Sequence, residues 1–159
     1  MIGRISEETL AWAGERIRAH TQGRTLDIGC GEGRFLPSGG VGLDLDMERL
    51  RVARLRSRRV VRGDAHALPF RDGAFDTTYA HRMLNDAGRI DAVLEEIRRV
   101  LRPDGRLVVF TGARHHADAP DRLDRGNGAD RLRRHFERVA AELPSSDERA
   151  ALFVAEGPR

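Results

Sequence analysis

The fold class this sequence predicts is an open α/β sheet, mostly parallel, with helices on both faces and a C-terminal antiparallel hairpin. Three observations predict it. Short apolar runs recur along the chain, separated by segments of crossover length, which implies parallel pairing. One run, Thr25 to Ile28, ends in "GCGEG", with Gly29, Gly31 and Gly33 at alternate positions. The last two runs flank only Pro144-Ser145-Ser146-Asp147, a turn composition that suits a hairpin.

Taken in order, residues 6 to 20 read as a helix. Ser6 is placed to cap it, Glu7 and Glu8 fill the first turn, and Leu10, Ala13 and Ile17 share one face. The first strand follows over Thr25 to Ile28. "VGLDLD" gives a second strand, "RRVVRGD" a third and "AFDTTYAH" a fourth. Asp46 is suited to cap a helix over "MERLRVARL". Ile90, Val93, Leu94, Ile97 and Leu101 recur at helical spacing, and that helix is expected to stop before "RPDG", read as a turn. "RLVVFTG" is the fifth strand. The tail reads as a short helix ending near His135, then a strand over Phe136 to Leu143 antiparallel to Ala150 to Glu156.

Composition narrows the function classes. The chain has 159 residues, of which 40% are hydrophobic and 33% charged, enough for one independent core. Cys30 is its only cysteine, which excludes an internal disulfide and a cysteine-based zinc cluster. All 28 basic residues are arginine, yet 25 acids are interleaved with them and the net charge is only +3, so no nucleic-acid partner is expected. "RLRRHFER" accordingly reads as a solvated face. No apolar run reaches the roughly 20 residues of a membrane span. The first residues carry acids and lack the apolar centre of a secretory signal, which leads to an expectation of cytoplasmic location.

A strand ending in glycines at the carboxyl edge of a parallel sheet is where such folds bind ligands. Glycine permits the tight turn and lets a ligand approach the backbone. Alone, the pattern fits an ordinary strand-to-helix connection equally well. Asp44, at the end of the second strand, changes that, because a carboxylate there can accept hydrogen bonds from both hydroxyls of a ribose. At the end of the third strand Asp64 can accept from an exocyclic amine, and Ala65 leaves room for a flat base. Ala80 and His81 close the fourth strand beside the same edge. The set points to a nucleoside-containing cofactor.

Together, "LDIGCGEGRF", "VGLDLD", "RGDAHALPFRDGAFD" and "LEEIRRVLRPDGRLVVF" resemble a class I S-adenosylmethionine-dependent methyltransferase of the small type 11 group. The resemblance runs from about residue 24 to 111. It implies a Rossmann-like sheet of about seven strands and S-adenosyl-L-methionine as cofactor. By position, Asp27, Gly29, Cys30, Gly31 and Gly33 would surround the methionyl part, with Cys30 as a small residue packed beneath. Asp44 would hold the ribose, Asp64 and Ala65 the adenine, and Ala80 or His81 the exposed flank, with Leu45 also counted among the cofactor-binding residues. The expected organisation is one domain over 1–159: an N-terminal helix to 23, a cofactor-binding core over 24–111, a mobile loop over 112–130, and a helix and hairpin over 131–159.

Methyl transfer from a sulfonium is an in-line displacement with an activated leaving group, so positioning is the protein's main task. A base matters only where the nucleophile must lose a proton. Candidates facing the crevice are His81, Tyr79, His66, His115 and His116, with His81, His115 and His116 taken as the catalytic set. His115 and His116 lie after the fifth strand, on the substrate side. With Asp118 they form no metal site unaided, because neighbours in a loop converge poorly on an ion. The expected substrate is a small molecule, methylated at oxygen, nitrogen or carbon, and a second subunit could close the crevice.

Two departures from the group stand out. Only ten residues separate Gly33 from Asp44, so the helix usual there is cut to about one turn. Asn85-Asp86 stand where many relatives carry a Glu-His or His-His pair, which keeps open a cofactor-binding module without catalysis. A nicotinamide-dependent oxidoreductase is a further alternative. Against it, the third glycine of G-x-G-x-x-G, counted from Gly31, is Leu36.

Overall fold

The computed structural model describes residues 5–57, 59–85, 87–112, 121 and 123–159. Its centre is one seven-stranded sheet in the order β3-β2-β1-β4-β5-β7-β6. The strands are β1 (Thr25–Ile28), β2 (Val41–Asp44), β3 (Val60–Arg62), β4 (Phe75–His81), β5 (Leu101–Thr111), β6 (Phe136–Glu142) and β7 (Ala151–Pro158). The first five pair in parallel, and β7 runs antiparallel to both β5 and β6. The chain enters the sheet at β1, then lays β2 and β3 on one side and β4 on the other. That reversal opens a crevice at the carboxyl end of β1.

Helix α1 (Glu7–His20) starts at Ser6, whose Oγ accepts from Thr9 N at 3.1 Å. It ends in Arg18 and His20, a charge order that complements the helix dipole. Its buried Leu10, Ala13 and Ile17 pack with Tyr79, Val108 and Phe110. Helix α2 (Met47–Ala53) is capped by Asp46, which accepts from Glu48 N and Arg49 N, and packs on Val60. Because Asp27 and Tyr79 are paired across β1 and β4, Asp27 points to this same face.

The other face is covered by α3 (Ile90–Val100) and by α4 (Gly128–Arg133). In α3 the apolar spacing holds for Ile90, Val93, Leu94 and Ile97, which are fully buried. The fifth buried position is Val100, because the helix ends there and Leu101, expected on the same face, opens β5. The five buried side chains of α3 meet Leu26, Ile28, Ala80 and Val109 of the sheet. No side chain caps α3 from its own start, and Ile90 N instead donates to Asp121 Oδ2 at 2.9 Å. Arg99, near its end, donates to the carbonyls of Leu68 and Phe70 and to Asp72 and Glu96. The segment leading out of β3 is thereby tied to α3.

Two expectations need correction. Residues 102–105, read as a turn ahead of the fifth strand, fall inside β5, which starts at Leu101. They form an irregularity in it, since Leu101 pairs with Phe75 and Arg106 with Thr77, leaving four residues opposite Asp76 alone. The stretch 112–130 is not a free loop throughout its described part. Leu123 is fully buried and Gly128 opens α4. Residues 113–120 lie outside the described residues.

Candidate functional site

The glycine loop is held over the end of β2 by backbone hydrogen bonds. Gly29 N and Cys30 N both donate to Leu43 O, at 2.8 and 2.9 Å. Gly29 has φ +71° and Gly31 φ +53°, left-handed conformations that L side chains rarely adopt. A Cβ on Gly29 would stand 2.6 Å from Met83 Cβ, so only glycine fits there. At Gly31 a Cβ would meet nothing nearer than the Arg49 guanidinium at 4.0 Å, leaving open space above the backbone. After the loop, where the short spacing left room for about one helical turn, the chain forms turns closed by Gly33 N to Cys30 O and Leu36 N to Gly33 O.

Asp44 joins the loop to the second strand. Its Oδ2 accepts from Gly31 N at 2.8 Å and its Oδ1 from Asp46 N at 2.9 Å. Each oxygen keeps a further lone pair, and the side chain lines a cavity of about 490 Å³. Leu45, Asp64, Ala65 and His81 line the same cavity. Leu45 is 59% exposed, an apolar side chain at the rim that no described residue covers. Asp64 Oδ1 accepts from His66 N at 2.9 Å and lies 2.7 Å from His66 Nδ1. Those hydrogen bonds hold the Asp64 carboxyl below its ordinary range, and its Oδ2 makes no hydrogen bond among the described residues. His66 Nε2 lies 3.0 Å from Gly88 O, so the ring braces Asp64 against the far wall.

His81 sits at the end of β4 between two rings, 4.4 Å from Phe35 and stacked on Phe110 at 5.2 Å. It also lines a second, neighbouring cavity of about 390 Å³, with Leu10, Glu32, Arg34, Arg49 and Arg82. Arg49, His81 and Arg82 border both spaces.

Beneath the loop, Asp27 is 2% exposed, and burial pushes its carboxyl up to about 8, with the nearby Asp44 charge adding to the effect. Tyr79, its cross-strand neighbour, has one hydroxyl proton and donates it to Phe35 O at 2.6 Å. Relief of Asp27 by Tyr79 is therefore small, and the upward direction stands. Burial likewise raises the Cys30 thiol to about 12, which makes it a packing group and not a nucleophile.

Of the residues expected at the site, the structure gathers Gly29, Asp44, Leu45, Asp64, Ala65 and His81 around one cavity. Gly31 borders it through its hydrogen bond to Asp44. Cys30 packs with Leu50, Ala53 and Val60, and Gly33 abuts Ala53. Ala80 does not flank the cavity, because alternation along β4 turns it into the core against α3. Tyr79 does not face the crevice either, being fully buried on the opposite face. His115 and His116 lie outside the described residues. Met83, Arg49 and Arg82 border the site without having been expected there.

Comparison with known proteins decides the family. Residues 26–109 match the family model described as a methyltransferase domain, which is more than half of the chain. The chain belongs to this methyltransferase family. Its members' cofactor is S-adenosylmethionine, and the crevice fits it, with an open approach over Gly31 and a twin-acceptor carboxylate at Asp44.

This methyltransferase-family chain is 36% identical over 110 residues to a fatty-acid O-methyltransferase of Mycolicibacterium smegmatis, covering 62% of the chain and 40% of that protein. It is 30% identical over 146 residues to 24-methylenesterol C-methyltransferase 2 of Oryza sativa subsp. japonica, covering 80% of the chain and 39% of that protein. The chain thus spans less than half the length of these relatives. A solved structure from Thermotoga maritima, described as an S-adenosylmethionine-dependent methyltransferase and possible histamine N-methyltransferase, superposes with TM-score 0.76. It shares 19% identity over 94% of this chain and 89% of that one, which shows a common, Rossmann-like fold.

Proposed function

We propose that the protein is an S-adenosylmethionine-dependent methyltransferase acting on an oxygen, nitrogen or carbon nucleophile of a small molecule. The observation that carries this is Asp44, bound to Gly31 N by one oxygen while its side chain lines the crevice at the switch point of the sheet. When bound, the cofactor supplies an activated methyl group. The chain's own residues bind and orient. Asp44 accepts from the ribose hydroxyls, and Leu45 and Ala65 sandwich the base. Asp64 Oδ2 accepts from its exocyclic amine. Gly29, Gly31 and Gly33 shape the backbone that receives the methionyl part, with Cys30 packed below and Asp27 buried beneath. His81, at the junction of the two cavities, faces the reacting centre, while Ala80 serves only as core.

Good alignment of donor and acceptor can lower a barrier by about 7–11 kcal/mol, so positioning supplies most of the rate on this reading. The reading further carries a cytoplasmic, small-molecule enzyme with no nucleic-acid partner, organised as a cofactor-binding core over 24–111 between an N-terminal helix and a C-terminal helix and hairpin. His115 and His116 would approach the substrate, and a homodimer would close the crevice further. Among the described residues no helix is long and apolar enough to cross a membrane. A nicotinamide dinucleotide is disfavoured, since turns and no helix follow the glycine loop, leaving no dipole to meet a pyrophosphate.

Calorimetric titration with S-adenosylhomocysteine tests the reading. A saturable heat is expected, and no heat at millimolar ligand would overturn it.

A further inference from the structure

Among the described residues the second cavity is lined by Leu10, Glu32, Arg34, Arg49, His81 and Arg82, three guanidinium groups against one carboxylate. Arg34 is paired with Glu7 at 2.7 Å and Arg49 with Asp46 at 3.5 Å. Both pairs are largely exposed, and exposed pairs are worth little, so both arginines can turn to a ligand at small cost. Arg82 is held in a left-handed conformation, φ +64°, by its backbone N–H donating to Phe110 O at 2.9 Å. A non-glycine residue in that region is uncommon, and here it stands where the two cavities meet.

From this geometry we propose that the methyl acceptor is a small organic acid, bound by its carboxylate among Arg34, Arg49 and Arg82 and methylated on a carboxylate oxygen. The proposal rests on the methyltransferase reading above and names the substrate class of that same site. Guanidinium groups are strong carboxylate donors, and an acid held by them chiefly through one oxygen would leave the other for the methyl donor in the first cavity. Among the described residues Leu10 alone gives the second cavity an apolar wall, which favours a short or slender acid.

The chemistry balances without a base. A carboxylate is already ionised near neutral pH, so no proton has to leave. A lone pair on its oxygen forms the new C–O bond to the methyl carbon, the C–S bond breaks, and its electron pair stays on sulfur. The opposite charges of carboxylate and sulfonium disappear together, giving a neutral ester and a thioether. A site lacking the acid-base pair at Asn85-Asp86 loses nothing by that absence.

The cofactor also carries a carboxylate, on its methionyl end, and the same arginines could hold that instead. Thermal-shift measurements separate the two sources. Protein saturated with S-adenosylhomocysteine is scanned against straight-chain and aromatic monocarboxylates and dicarboxylates, with the matching primary amides as controls. The expected result is a further rise in melting temperature with at least one acid and with none of the amides. Arg34→Gln should weaken that acid about tenfold or more, the size of one lost charge-assisted hydrogen bond, while S-adenosylhomocysteine affinity stays within about twofold.

With methyl-labelled S-adenosylmethionine and, as acceptor pool, the anion-exchange-retained acids of a metabolite extract, label should enter products that release it as methanol in alkali. Acids that bind no better than their amides, or label found only in alkali-stable products, would overturn the proposal. So would Arg34→Gln weakening S-adenosylhomocysteine as much as the acid, since the arginine would then hold the cofactor's carboxylate. If S-adenosylhomocysteine itself gives no shift, the methyltransferase reading fails first. A shift with it and none with any acid defeats only the substrate class.

Discussion

Asp44 Oδ2 accepts a 2.8 Å hydrogen bond from Gly31 N, so the residue proposed to hold the ribose also holds the loop that receives the rest of the cofactor. Removing the carboxylate therefore acts twice. Asp44→Ala should weaken S-adenosylhomocysteine by about 1.5–3 kcal/mol, the range for losing hydrogen bonds to a charged acceptor. Calorimetry reads this directly. An unchanged dissociation constant would place the ribose elsewhere.

Gly29 and Gly31 should respond differently to alanine although both have positive φ. Gly29→Ala adds a methyl group 2.6 Å from Met83 Cβ to a conformation that already costs an L residue about 1–2 kcal/mol. Gly31→Ala carries the conformational cost alone, because the added methyl group enters open space. Urea denaturation should show the larger loss for Gly29→Ala, with partial recovery in a Gly29→Ala, Met83→Gly double variant. Gly31→Ala should show its larger effect on cofactor binding. Equal destabilisation by the two alanines would contradict the packing described.

The contrast also shows what the sequence could and could not reveal. Glycines at alternate positions, the apolar period of α3 and the carboxylates ending β2 and β3 are local signals, and each maps onto one place in the sheet. Met83 carries no comparable signal. It reaches Gly29 because Arg82, a residue with no local mark of unusual geometry, takes φ +64° and turns the chain back over the loop. Ala80 and Tyr79 fall away from the crevice because alternation along β4 sends them to opposite faces, a distinction that position at the strand's end does not carry. "RPDG" has turn composition, and its four residues stand opposite Asp76 alone between the Leu101–Phe75 and Arg106–Thr77 pairings, so the sequence signal marks an irregularity inside β5 and not the strand's start.

Arg99 makes five hydrogen bonds that a lysine cannot reproduce, with its Nε and both terminal nitrogens reaching Glu96, Asp72 and the carbonyls of Leu68 and Phe70. A planar fork spans these partners and a point ammonium does not. Arg99→Lys should destabilise the fold by about 1–3 kcal/mol in chemical denaturation while leaving S-adenosylhomocysteine affinity within about twofold. A midpoint equal to that of the parent protein would show that the network contributes nothing to stability.

Asp27 should make stability fall as pH rises through the neutral range. Its carboxyl is raised from 3.8 to about 8, first by burial, and Oδ1 has no hydrogen-bond partner among the described residues. The folded protein therefore keeps this proton over a range in which the unfolded chain has lost it. The contribution is fully present below the ordinary carboxyl range and is lost as pH climbs from about 4 to about 8. The carboxyls of Asp64, Asp91, Glu96, Glu142 and Asp147 are all lowered by hydrogen bonds, so their contributions are lost only in acid, below that window. Measurements between pH 5 and 8 thus isolate the buried acid from them. Asp27→Asn keeps the shape without the titration, and its melting temperature should vary less with pH across that interval than the parent's. The variant should equal or exceed the parent at pH 8, where the buried carboxyl has begun to ionise, and give up its advantage at pH 5. Parallel profiles for the two proteins would show that Asp27 is ionised in the fold throughout, and would remove the neutral acid from beneath the loop.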